Sequence, residues 1–197
     1  MTPETSITKN AERYVMDYLE AFLPPGFGFH NIQHAREVKE AVSLIGDYLS
    51  LPAGDIEVLR IAASFHDTGY CHTYSGHEDR SITIASVWLS DEDYPIERIA
   101  RVASCIEATR FPQSPNDLLG QVLCDADLFH FASLNYPDYE HRLRLEWERR
   151  LDRFYSDQDW ARTNCEALIA QTYFTSYGKK VLQPLKERNI ELLRCRY

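Results

Sequence analysis

The chain has 197 residues, 44% hydrophobic and 26% charged, with a formal net charge of −9. That length suits one domain with a full hydrophobic core. The acidic balance argues against non-specific binding to nucleic acid or to an anionic membrane surface. Five scattered cysteines without a C-x-x-C pair fit free thiols in a reducing compartment. There is neither a secretory leader pattern nor an apolar run of membrane-spanning length, so a cytoplasmic location is expected.

Helical periodicity dominates. Ala11, Tyr14, Val15, Tyr18, Leu19, Phe22 and Leu23 recur at three- and four-residue steps and predict one face of a first helix, stopped by Pro24-Pro25-Gly26. A second helix is expected through Ile32, Ala35, Val38, Ala41, Val42 and Ile45. After the break at Leu51-Pro52-Ala53-Gly54, a third carries Ile56, Leu59, Ala62, Ala63 and Phe65 and delivers His66-Asp67 at its end. A polar loop from Thr68 to Gly76 follows. Ser75 and Glu78 have capping-box spacing for a fourth helix through Ile82, Ala85 and Leu89.

Pro95 suits the first residue of a fifth helix, with Ile99, Val102, Ala103 and Ile106 inward. Phe111 to Asn116 reads as a loop, and a sixth helix runs from Leu118 to Asp125-Ala126-Asp127. Beyond Pro137 the pattern is helical again, with a charge-rich stretch from Glu140 to Arg153, a segment near Trp160 to Tyr173 and a last piece after Pro184. The expectation is an all-α fold of eight or nine helices, one domain over residues 1–197.

Histidines and carboxylates gather at the predicted helix ends: His30 and His34, His66-Asp67, His72, His77-Glu78, and Asp125 with Asp127. A buried imidazole beside a buried carboxylate must be paired, hydrogen-bonded or metal-bound. Imidazole nitrogen and carboxylate oxygen together suit a divalent cation such as Mn, Mg, Co, Fe, Ni or Zn.

The order His … His-Asp … Asp along an all-α chain resembles the HD superfamily of metal-dependent phosphohydrolases. His30-Asn31-Ile32-Gln33-His34-Ala35 is similar to the "HNxxHA" segment of cyclic-nucleotide phosphodiesterases. Phe65-His66-Asp67-Thr68-Gly69-Tyr70 resembles the "FHDxxY" element of predicted bacterial HD phosphohydrolases. His77-Glu78-Asp79-Arg80-Ser81 is similar to their "NExxS" segment, with His for the usual Asn. Ile106-Glu107-Ala108-Thr109 resembles "IxAT", Asp125-Ala126-Asp127-Leu128 resembles "DxDL", and a Tyr- and Arg-rich helix follows at Tyr136 to Glu146. The likeness covers about residues 30–150.

The resemblance implies that His34, His66, Asp67 and Asp127 bind one divalent ion. The helical wheel alone does not choose between Asp125 and Asp127; the superfamily pattern points to Asp127 and leaves Asp125 to orient a ligand imidazole. Asp67 has a second oxygen to bridge to another ion, for which His77 and, less strongly, His72 are candidates. The implied reaction is hydrolysis of a phosphate ester by cation-activated water. Asp67 holds the water and His30 protonates the leaving group. Thr109, Arg110 and Arg80 are candidate contacts to a substrate phosphate.

The expected partner is a small phosphorylated molecule, a nucleotide, as monoester or diester; a homodimer is left open. Two alternatives stand beside hydrolysis: a diiron oxygenase, which needs His72 and His77 as further ligands, and a non-catalytic nucleotide-sensing module. Blander readings accompany several residues. Glu78 is the far half of a capping box, Thr109 bonds a backbone carbonyl, and His130 and His141 are packing or surface residues. The Glu140 to Arg153 run is a solvated, ion-paired helix face.

Overall fold

The structure, a computed structural model, describes residues 2–195. Among these residues there are nine α-helices and no strand. They are α1 (Ser6–Phe22), α2 (Ile32–Tyr48), α3 (Ala53–Phe65), α4 (His77–Asp91), α5 (Ile96–Ala108), α6 (Leu118–Asp127), α7 (Tyr136–Leu151), α8 (Asp157–Ala170) and α9 (Gln183–Arg194). Two 3-10 turns (Thr68–Cys71 and Phe129–Ala132) and one π turn (Gly178–Leu182) complete the set. No described helix is long and apolar enough to cross a membrane.

The main core forms where the apolar faces of α2, α3, α5 and α6 meet. Val38, Val42 and Ile45 pack with Leu59, Ala62, Ala63, Val102, Ile106, Val122 and Leu123. α3 is buried almost all round, from Ile56 to Phe65, which is why its sequence is nearly continuous in apolar residues. A smaller cluster of Tyr136, Cys165, Leu168, Ile190 and Leu193 ties α8 and α9 together beside it.

Three local expectations are corrected. Phe22, counted on the apolar face of α1, is 58% exposed, its ring resting on Tyr18 while Leu19 and Leu23 make the core contacts at that end. The stretch after Asp67 is not a solvated polar loop; Thr68, Gly69 and Tyr70 are buried in a 3-10 turn. Its backbone lies so close to α4 that a Cβ on Gly69 would sit 1.9 Å from the carbonyl oxygen of His77. The Ser75–Glu78 capping box does not form. Gly76, in the left-handed region at φ 70°, starts α4 without a side-chain cap, and Glu78 is buried facing Arg110.

Candidate metal centre

Each candidate ligand sits at a helix end set by local chemistry. Asn31 caps α2: its side-chain oxygen accepts the N–H groups of Gln33 and His34 (2.9 and 3.4 Å), and its amide donates to the Gly28 carbonyl. This places His34 in the first turn of α2 and His30 just ahead of the cap. The buried helix α3 ends at Phe65, so His66 and Asp67 emerge at the core's edge. Asp117 caps α6 by accepting from Gly120 N–H, and α6 ends on Asp127.

These ends converge. One ligand atom each from His34, His66 and Asp127 lies within 4.8 Å of the others. Asp127 Oδ1 is 3.2 Å from His34 Nε2 and 3.6 Å from His66 Nε2. Asp67 Oδ2 is 3.5 Å from His34 Nε2 and 3.2 Å from His66 Nε2. Two donors on a tetrahedral cation with bonds of about 2.1 Å stand about 3.4 Å apart, so these separations match a shared ion.

His66 Nδ1 donates to the Ala63 carbonyl at 2.8 Å, which turns Nε2 toward the cluster. His66 Nε2 and Asp67 Oδ2 are buried without a hydrogen-bond partner. Buried polar atoms are rarely left so, and a divalent cation fits both that vacancy of partners and the mixed nitrogen and oxygen donors.

The titration shifts say the same. Burial opposes charge on His66, yet Asp67 and Asp127 outweigh it and hold the imidazole well above its ordinary value. Burial also opposes charge on the two aspartates, and the histidines around them hold both low. Two carboxylates at this depth demand a positive charge, whether a proton or a metal ion.

The other expected residues are placed as follows. His77 Nε2 is 3.4 Å from Asp67 Oδ1, the oxygen turned away from the first cluster, and His77 Nδ1 is 3.7 Å from Glu78. His72 is not brought to the site: it is exposed on the α1 side, 2.6 Å from the Tyr18 hydroxyl. Asp125 does not orient an imidazole. Its carboxylate accepts from the backbone of Phe174 and Thr175 and from the Thr175 hydroxyl, holding the segment before the π turn against α6.

Thr109 borders the cavity, but its hydroxyl donates to the Ile106 carbonyl. Arg110 is taken up by Glu107, Asp79 and Glu78. Arg80 is exposed and does not border the cavity. His130 packs between Phe29, Phe131 and Tyr139, and burial pushes its imidazole down to about 3. His141 is on the surface.

The charged run on α7 is only partly a solvated face. Arg144 pairs with Glu148 and Asp157 outside, but the Glu146 side chain is 0% exposed. Glu146 Oε1 accepts from His30 Nδ1 (2.5 Å) and the Tyr74 hydroxyl (3.0 Å), and Oε2 from the N–H groups of Phe29 and His30. Burial opposes a charge on His30, and Glu146 outweighs it and raises the imidazole above its ordinary value.

Gln113 was also not expected: its amide donates to Asp127 Oδ2 at 3.0 Å, and Gln171 donates in turn to Gln113. No local sequence signal marked either Glu146 or Gln113.

Comparison with known proteins agrees with this arrangement. A family model described as HD domain matches residues 31–132, just over half of the chain. Among curated proteins none matches the sequence. The fold is similar to that of a predicted HD superfamily hydrolase from an uncultured Thermotogales bacterium, with a TM-score of 0.59 and 20% identity over 95% of this chain and 89% of that one. At that identity the likeness concerns the fold alone. His30 falls one residue before the matched range and Glu146 well beyond it, whereas His34, His66, Asp67 and Asp127 fall within it. On the family match and the helical arrangement around His66-Asp67, this chain belongs to the HD domain family.

Proposed function

We propose that the protein is a divalent-metal-dependent hydrolase of phosphate esters, with nucleotides as the expected substrates. The observation that carries this reading is the convergence of His34, His66, Asp67 and Asp127 beside an imidazole locked to a buried glutamate. These four residues would hold the ion. A cation there supplies Lewis-acid polarisation of a phosphoryl oxygen and a lowered pKa for a coordinated water.

The remaining steps belong to the chain's own residues. Asp67 borders the cavity with Oδ1 3.4 Å from His77 Nε2. It is placed to orient the attacking water by accepting its hydrogen bond, while the proton that a bound cation would make acidic leaves to solvent. As the new P–O bond forms, the bond from phosphorus to the leaving oxygen breaks, and that oxygen takes the proton from His30 Nε2. The second nitrogen of His30 is tied to Glu146, which fixes the ring and favours its charged, donating form. Tyr70 stacks on His77 with ring centroids 3.8 Å apart and its hydroxyl 3.5 Å from His30 Nε2, keeping both imidazoles in register.

The test is a panel of purified protein loaded singly with each divalent ion, assayed on an aryl phosphate monoester and a bis-aryl diester. Metal-dependent release of phosphate or aryl alcohol, lost in Asp67→Ala, is the expected result. No cleavage of either ester with any ion overturns the reading.

A further inference from the structure

The cavity that begins at Asp67, His77 and Asp127 has a volume of about 380 Å³ and extends along α7 and α8. Leu143, Trp147 and Trp160 form that wall, with Phe111 and Phe131 beside it. The two indoles meet edge to face, 5.6 Å between centroids at 87°. α7 and α8 lie beyond the residues that the family model matches.

Charge distinguishes the cavity as much as shape does. Among the described residues that line it none is a lysine or arginine, whereas Asp67, Glu78 and Asp127 are carboxylates. The nearby guanidinium groups are engaged elsewhere. Arg110 is held by Glu78, Asp79 and Glu107, Arg142 by Asp138 and the Tyr139 ring, and Arg150 lies over Phe27. Sites that hold a polyphosphate chain cradle it with Lys or Arg and backbone N–H groups. Here one phosphoryl group would find the bound cation and His30. A second or third would meet carboxylates, aromatic rings and neutral polar groups such as Thr163 and Asn164, with no Lys or Arg to balance its charge.

Resting on the hydrolase reading above, we propose that the substrate is an ester with a single phosphoryl group and a flat aromatic ring. The ring seats against Trp147 and Phe111, with the buried Trp160 (2% exposed) supporting Trp147 edge to face, and diphosphates and triphosphates are rejected. Phosphoryl charge is read at the metal end, and the organic group is read by stacking at the α7–α8 wall. Ring stacking on aromatic side chains is sequence-tolerant, so several ring systems share the site.

Tryptophan emission tests the wall without turnover. The chain has three tryptophans; two line the cavity, while Trp88 packs on Tyr14 and Phe65. Adenosine, which carries no phosphate, should change the emission saturably, and glycerol should not. With metal-loaded protein, phenyl phosphate should exceed glycerol 2-phosphate in kcat/KM, and AMP should exceed ATP, each by about ten-fold or more. Trp147→Ala should collapse the phenyl-to-glycerol ratio toward one. Phe111, already 68% exposed, supplies Phe111→Ala as a variant with little folding burden and the same expected direction.

ATP cleaved as well as AMP, no emission change with adenosine, or an unaltered ratio in Phe111→Ala overturns the proposal. Ester cleavage without ring preference defeats this proposal but leaves the hydrolase reading standing. Adenosine binding without cleavage of any ester defeats the hydrolase reading, and with it the substrate assignment, and leaves only a ring-binding wall.

Discussion

His30 Nδ1 and Glu146 Oε1 lie 2.5 Å apart, although 116 residues separate them along the chain. The carboxylate also accepts both backbone N–H groups at the entry to α2 and the Tyr74 hydroxyl, so it cannot turn away without breaking the loop. Its effect on His30 is to favour the protonated ring. An acid so held works below its raised pKa and fails as pH climbs through it. Glu146→Gln should therefore move the alkaline limb of kcat/KM to lower pH. An unmoved limb contradicts the assigned pairing.

The same pair has a signature in stability. His30 is raised above its ordinary 6.5 and Glu146 lowered below 4.5. The histidine's contribution is fully present below about pH 6.5 and lost as pH rises through its raised folded value. The glutamate's is present above about pH 4.5 and lost as pH falls through its lowered value. Chemical denaturation of wild type and Glu146→Gln should thus differ most between those limits. A constant difference from pH 4 to 9 counts against the pairing.

If His30 donates to the leaving oxygen, the loss in His30→Ala depends on what leaves. An alkyl phosphate ester, which needs the proton, should slow by about 10²–10⁴-fold. A nitrophenyl ester, whose phenolate leaves unaided, should slow much less. Equal losses for both esters would place His30 in binding rather than proton transfer.

His66 sits between Asp67 and Asp127 and holds a proton there well above its ordinary pKa. A metal ion must displace that proton, so affinity should rise with pH and binding should release about one proton per ion. Calorimetry in buffers of different ionisation enthalpy reads this directly. Proton-free binding would mean that the ion sits elsewhere.

Gln113 fixes Asp127 Oδ2 and leaves Oδ1 facing the two imidazoles. Gln113→Leu should weaken metal affinity by about 10–100-fold, the usual effect of losing an outer partner. Folding should be little changed, because the loop residue is not part of the core cluster. Equilibrium dialysis against a chelator measures the shift, and an unchanged affinity would make the contact incidental.

What the sequence disclosed follows from how local each signal is. The helices of the core were legible because their burial is periodic, and the His34, His66-Asp67 and Asp127 stretches because each lies in a short contiguous motif resembling the HD superfamily. Glu146 was not, because Arg144, Glu146, Glu148 and Arg149 read together as an ion-paired surface, and its partner His30 is far off in the chain. Ser75 and Glu78 had the right spacing for a cap, but Glu78 is drawn inward by Arg110 and His77, and Gly76 starts the helix instead. Asp125 and Asp127 are two residues apart on one helix end; only tertiary structure shows that Asp125 anchors Phe174 and Thr175.

Metal content, measured by plasma mass spectrometry on the wild type and on His66→Ala under one purification, decides whether the four side chains share an ion. About one or two divalent ions per chain in the wild type, and a near-complete loss of both metal and ester cleavage in a still-helical variant, is the predicted result. A variant that keeps its metal and its turnover would contradict the shared-ion centre outright.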